Sequence, residues 1–215
     1  SAARRATSDS PSSYATTRHN LHGLAELVLA GPRYTTGGSM RLRAGVDGIR
    51  TWDDPPVRLS GGELIGEAQR VPVNGMTFAD AAAAIGLSAH PLDDVYHDGP
   101  HVRPDEVISL VPGDVAVVEE ALARGDAALR GLASSSEPIL WPEHFDVAIT
   151  LDDVNFGVSP GDAHHERPYA YVGPHHLRTG AFWNEPFGAS RPLEDLADVA
   201  AIVAFFHEGA REASG

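Results

Sequence analysis

The stretch WPEHFDVAITLDDVNFGVSPGDAHHERPYAYVGPHH, Trp141 to His176, decides how the rest of the chain is read. Phe145, Val147, Ile149 and Leu151 alternate with His144, Asp146, Ala148 and Thr150, which is the pattern of a strand with one buried face. Asp152-Asp153 turns the chain. Val154, Phe156 and Val158 then alternate with Asn155, Gly157 and Ser159. Ser159 to Asp162 reads as a loop, and Tyr169 and Tyr171 share one face of a third strand, with Ala170 and Val172 behind them. If the three strands pair as neighbours, the apolar face rests on helices. The other face gathers His144, Asp146, Asn155, Tyr169 and Tyr171.

Towards the C-terminus, Leu196, Val199, Ile202, Val203 and Phe206 predict one buried stripe on a helix over 193–210. Towards the N-terminus, Ser134-Ser135-Ser136 marks a linker, preceded by a helix over 115–132 that Asp114 is placed to cap. Before it lies LSAHPLDDVYHDGPHVRPDEV, dense in His and Asp but without period, which reads as a proline-punctuated surface connection rather than a metal loop. Thr77 caps a short helix, Phe78 to Ile85, closed at Gly86.

From Ser39 to Val73 the period is two. Asp47-Gly48 and Gly61-Gly62 turn two hairpins, Met40–Ala44 with Ile49–Trp52 and Val57–Leu59 with Glu63–Val73. Arg41, Arg43, Arg50, Arg58 and Arg70 decorate these strands as a solvated face paired with local acids. Thr17 caps a helix running to Ala30, where Gly31-Pro32 ends it, and His22 with Glu26 on it reads as a surface contact. Residues 1–16, rich in Ser, Ala and Thr, read as a disordered arm. The predicted class is α+β: antiparallel sheet with N-terminal, central and C-terminal helices on one face. A scaffold half, 17–133, and a His-rich half, 137–215, are expected to pack as one domain.

The chain of 215 residues is 42% hydrophobic, enough to bury a core without staples. It has no cysteine, which excludes disulfides, thiolate-ligated metals and a Cys nucleophile. The formal net charge of −14 repels phosphate backbones and anionic lipid, so nucleic acid and membrane surface are not expected partners. With no long apolar run and no apolar leader in the given sequence, a cytoplasmic location is expected.

Five of the eleven histidines fall in the opening stretch. Residues two apart on a strand lie about 6.5–7 Å apart on one side, close enough for His144 and Asp146 to share an ion or for the carboxylate to orient the imidazole. His144 and Asp146 with His165 and His176 make a candidate set for a divalent metal, iron or zinc. Without a metal, His144 is a candidate base, Asp146 its orienting carboxylate, and Tyr169 or Tyr171 positions a substrate. No serine-nucleophile elbow, phosphate loop or zincin motif is present.

At WPEHFD (141–146), SPGD (159–162) and ERPYAYVGP (166–174) the chain resembles an uncharacterised bacterial protein family with a Trp-Pro-x-His-Phe-Asp, Ser-Pro-Gly, Glu-x-Pro-Tyr-x-Tyr-Val motif series. The resemblance covers the C-terminal part alone. It implies that His144, Asp146, Glu166 and Tyr169 belong to one motif set, which adds Glu166 to the candidate catalytic residues, and it implies no particular activity. Two functions follow as expectations. One is an enzyme acting on a small molecule through a His/Asp pocket, with or without a metal. The other is a non-catalytic small-molecule-binding or regulatory module without one.

Overall fold

The computed structural model describes residues 10–215. The ten strands among the described residues join in one antiparallel sheet, built from two meanders placed edge to edge. The first comprises β1 (Leu42–Gly45), β2 (Gly48–Thr51), β3 (Arg58–Ser60), β4 (Glu63–Ile65) and β5 (Arg70–Pro72). The second comprises β6 (Ile139–Trp141), β7 (Asp146–Leu151), β8 (Val154–Ser159), β9 (Tyr169–Pro174) and β10 (Ala189–Pro192). The order across the sheet is β10-β9-β8-β7-β6-β1-β2-β3-β4-β5. The seam between meanders is β1 against β6, with the single register pair Leu42 and Leu140, both fully buried.

Among the described residues five α-helices accompany the sheet: α1 (Ser13–Leu24), α2 (Gly31–Thr35), α3 (Phe78–Ala84), α4 (Pro112–Leu132) and α5 (Val199–Ser214). The α+β class therefore holds. α4 lies across β1, β7 and β8, and α5 across β8 and β9, so the apolar side chains of these strands are sealed on one side. At Gly125 the approach is so close that an added Cβ would sit 2.7 Å from Val147 and Val158. Val147, Val158, Phe156, Val172 and Phe206 are buried in this layer. Among the described residues no helix is long and apolar enough to cross a membrane.

Several boundaries differ from those the sequence predicts. α1 starts at Ser13, capped by the Ser12 hydroxyl accepting from Ala15 N–H at 3.0 Å; residues 13–16 are therefore helical, and the rest of the expected arm up to residue 9 lies outside the described residues. Thr17 is buried inside the helix, where its hydroxyl accepts from Val111 N–H at 3.0 Å. Gly31-Pro32 does not stop the helix. The chain widens into a π-helical turn, Ala25–Ala30, and continues as α2 with Pro32 near its start. A proline ring clashes with the carbonyl four residues back in a regular helix, and the wider turn relieves that conflict.

His22 and Glu26 are not a surface pair. The Glu26 carboxyl is fully buried beside Tyr96 and Gly99, and burial pushes it above the usual carboxylate range. Val111, not Asp114, precedes α4; Asp114 lies in its first turn and accepts from the Ser13 hydroxyl at 2.9 Å. The expected strand over 63–73 is two, β4 and β5, divided by a turn in which Gly66 N–H donates to the Gln69 carbonyl at 2.9 Å.

The expected helix over 193–210 is a short 3-10 turn, Leu193–Asp195, followed by a break and then α5, which Asp198 caps. Its buried stripe is Ile202, Phe205, Phe206, Gly209 and Ala213, while Leu196 is buried ahead of the helix. Thr77 caps α3 as predicted, accepting from Asp80 N–H at 3.0 Å.

Candidate functional site

β7, β8 and β9 are neighbours, in a register that sets Gly157 opposite Tyr171, Ser159 opposite Tyr169 and Thr150 opposite Asn155. On the side of the sheet away from the helices they floor an open cavity of about 590 Å³. His144, Asp146, Asn155, Tyr169 and Tyr171 all line it, together with Ser159, Asp162 and Phe187. A second hollow of about 600 Å³ continues past Asp146 and Tyr171 towards Trp141 and Glu143.

Two phenol–carboxylate pairs organise the floor. Tyr171 donates to the carboxylate of Asp146, a residue only 9% exposed. Burial pushes the Asp146 carboxyl up, against the pull of the Tyr171 hydrogen bond, and pushes the Tyr171 phenol up as well. Tyr169 donates to Asp162 Oδ2 at 2.6 Å. Burial also acts to raise Asp162, but the bonds it accepts from Tyr169 and from the His165 and His164 backbone amides outweigh that, and its pKa is lowered. Two carboxyls in one hollow are thus driven in opposite directions by their surroundings.

The Tyr171 ring can reach Asp146 because it lies across Gly157. An added Cβ there would stand 2.5 Å from the phenol oxygen. A glycine in a strand interior is a recognisable sign of such an approach.

His144 stands differently from the sequence expectation. β7 begins at Asp146, and Phe145 before it has φ +55°, so strand alternation does not extend back to His144. His144 sits on the connecting turn, mostly exposed, with Glu143 Oε2 3.7 Å from its Nε2. No hydrogen bond links it to Asp146, whose proton partner is Tyr171 instead.

The turn itself is held from below by His22. The His22 Nε2–H donates to the Pro142 carbonyl at 2.6 Å, and its ring stacks on Phe145 at 5.0 Å and 8°. A carbonyl only accepts, so His22 carries its proton on Nε2. Burial holds its pKa down at about 4, which keeps the ring neutral. Sequence reasoning missed this residue because its partner lies 120 positions away.

Glu166 does not face the cavity. It is exposed on the loop before β9, where its carboxylate accepts from Ser12 at the start of α1. Nor do His144, Asp146, His165 and His176 converge on one point. Among the described residues, the acidic and imidazole groups with ligand atoms all within 4.8 Å of one another are His164, His165 and Glu185, and Asp98, Glu143 and His144. Asp146 is taken up by Tyr171, and His176 is exposed at the end of β9. Glu185, on the loop between β9 and β10, carried no local sequence signal.

No protein-family model matches the chain, and neither a curated protein nor a solved structure proved similar to it.

Proposed function

We propose that the cavity over β7, β8 and β9 binds a small polar molecule and that Asp146, held by Tyr171, exchanges a proton with it. The observation that carries this reading is the buried Asp146–Tyr171 pair on the cavity floor, with the carboxyl displaced upward by burial. A carboxyl poised nearer neutrality is suited to general acid–base work. Asp162, displaced downward in the same hollow, stays ionised and can hold a cationic or hydroxylated group. Among the described residues the lining includes no Arg and no Lys, so an anionic ligand would face two carboxyl groups without an arginine or lysine to pair with. The ligand class is therefore an amine or a polyhydroxylated compound.

Tyr169 and Phe187 supply apolar walls, and His144 stands at the rim. Glu166 has no part in the cavity.

A second reading is a non-catalytic binding or regulatory module. It is favoured by how fully the floor is already satisfied: Tyr171 with Asp146, Tyr169 with Asp162, and Thr150 with Asn155 at 2.7 Å. Thermal shift against a panel of amines and polyols, followed by product analysis of each stabilising compound, separates the two. A ligand that binds only the folded state raises the melting temperature. The enzyme reading expects turnover that Asp146→Asn abolishes while the shift persists. Stabilisation without turnover in the wild type sinks the catalytic part, and no stabilisation by any member of the panel counts against the pocket.

A further inference from the structure

Beside the cavity, and independent of the reading above, lies a second arrangement of side chains with its own chemistry. The loop joining β8 to β9 presents His164 and His165, and the loop joining β9 to β10 presents Glu185. His164 Nε2 is 2.8 Å from Glu185 Oε2, and His165 Nε2 is 2.6 Å from Glu185 Oε1. Two imidazole nitrogens and a carboxylate thus meet from segments about twenty residues apart.

We propose that His164, His165 and Glu185 bind one divalent transition-metal ion of the zinc class. Their ligand atoms all lie within 4.8 Å of one another, the spacing from which three donors can close on a single ion. Mixed imidazole and carboxylate donors suit zinc, cobalt, iron or manganese, whereas magnesium and calcium call for oxygen alone. Three protein donors leave a coordination position open, as in sites that also take water or a ligand.

The surroundings brace these donors. The Glu185 side chain is only 10% exposed, and the Ser190 hydroxyl donates to its Oε1 at 2.6 Å. Glu185 is set at a tight turn in which it and Gly188 exchange backbone hydrogen bonds of 3.0 and 3.2 Å. Asn184 pins the same loop through both of its amide atoms to the Ser190 backbone. On the other loop, the Asp162 carboxylate accepts from both His164 N–H and His165 N–H, at 2.7 and 2.9 Å. Outer-shell contacts of this kind orient ligands. Each imidazole can turn its Nε2 lone pair to the ion by carrying its proton on Nδ1, and any imidazolium releases a proton on binding.

A bound ion would tie together two loops that wall the cavity. His165 packs edge-on against Tyr169, and His164 against Phe187, with ring centroids 5.0 and 5.8 Å apart.

The competing account is an ion pair between Glu185 and protonated imidazoles with no affinity for metal. The test uses full-length protein made without a polyhistidine tag, stripped with chelator, desalted and loaded separately with Zn(II), Co(II) and Mg(II). The expected result is one Zn(II) or Co(II) retained per chain, a visible cobalt spectrum and a raised melting temperature, with no retention of Mg(II). Glu185→Gln and His164→Asn should each abolish retention, and Ser190→Ala should weaken binding roughly tenfold. His144→Ala and His176→Ala should leave it unchanged. Circular dichroism checks folding, and if Glu185→Gln does not fold, the exposed His164→Asn decides. No retention by the wild type, retention undiminished in the folded His164 variant, or loss in His144→Ala would each overturn the proposal.

Discussion

The two meanders use the same hairpin architecture and put opposite chemistry on it. In β1–β5 the strands are three or four residues long, and their arginines, half-buried at Arg43 and Arg58 and exposed at Arg70, meet acids at the surface: Arg43 with Glu137 at 3.4 Å, Arg58 with Asp47 at 3.2 Å, Arg70 with Glu63 at 2.6 Å. In β7–β9 the strands are six residues long and the same side of the pleat carries Asp146, Tyr171, Tyr169 and Asn155 under the walls of two loops. Water screens the first set, so each pair is worth little. The second set is partly withdrawn from water, Asp146 and Tyr169 most of all, and there each phenol donates to a carboxylate and each carboxyl is shifted. Polar alternation alone thus does not make a site; what stands over the strand does.

The largest test of this contrast is at the seam. Leu140→Ala should cost about 2–5 kcal/mol, because the side chain is fully buried where only one register pair joins the meanders. Urea unfolding followed by circular dichroism and by tryptophan fluorescence should shift together. Two separated transitions would mean that the halves do not share one core.

Next comes acid. Burial holds His22 at about 4 in the folded chain, against an ordinary 6.5. Between these values the unfolded chain binds the proton and the folded one does not, so stability is full above pH 6.5 and falls as pH drops towards 4. At about 1.4 kcal/mol per pH unit the loss approaches 3 kcal/mol. His22→Gln lacks this contribution, so its stability should fall less steeply across that window and the gap between wild type and variant should change by that amount; an unchanged slope in the variant would remove His22 as the neutral support of the 142–145 turn.

Gly157→Val should cost about 1–3 kcal/mol by overpacking against the Tyr171 ring. It should also abolish any ligand-induced thermal shift, since Tyr171 can no longer lie against Asp146. Retained ligand stabilisation would show that the pair is not the floor of the site.

The smallest effect is expected in the first meander. Arg58→Ala and Arg70→Ala should each change stability by less than about 0.5 kcal/mol, and less still at high salt. A loss several times larger at low salt would place functional or structural weight on that face after all.

Much of the fold was legible. The alternation over 145–158, the tyrosine pair and the Asp152-Asp153 turn, whose residues have φ of +48° and +60°, predict β7, β8 and β9 correctly. Thr77 as a cap, and Ile202 and Phe206 on the buried face of the last helix, were readable for the same reason: the signal is local. β6 and β10 escaped because three or four residues beside prolines show no period. Helix ends moved because Ser12 and Asp198 cap more effectively than Thr17 and the 193–196 turn.

The site was legible in part. That Asp146, Tyr169 and Tyr171 look into one hollow follows from strand parity once the strands are neighbours, whereas His144 reaches it from the connecting turn. The orientation of His144 by Asp146 does not hold, because Phe145 in the left-handed region interrupts that parity. Glu185, His22 and Gly157 acquire meaning only through partners distant in sequence or across the sheet.

By itself the amino-acid order determined the α+β class, the three strands that carry the polar face and the absence of any thiol chemistry, because periodicity and composition act over a few residues. Only the tertiary structure decided which carboxyl is raised and which lowered, which acid meets which imidazole, and which helix braces the turn. Those depend on burial and on contacts closed by long loops, and no local pattern encodes them.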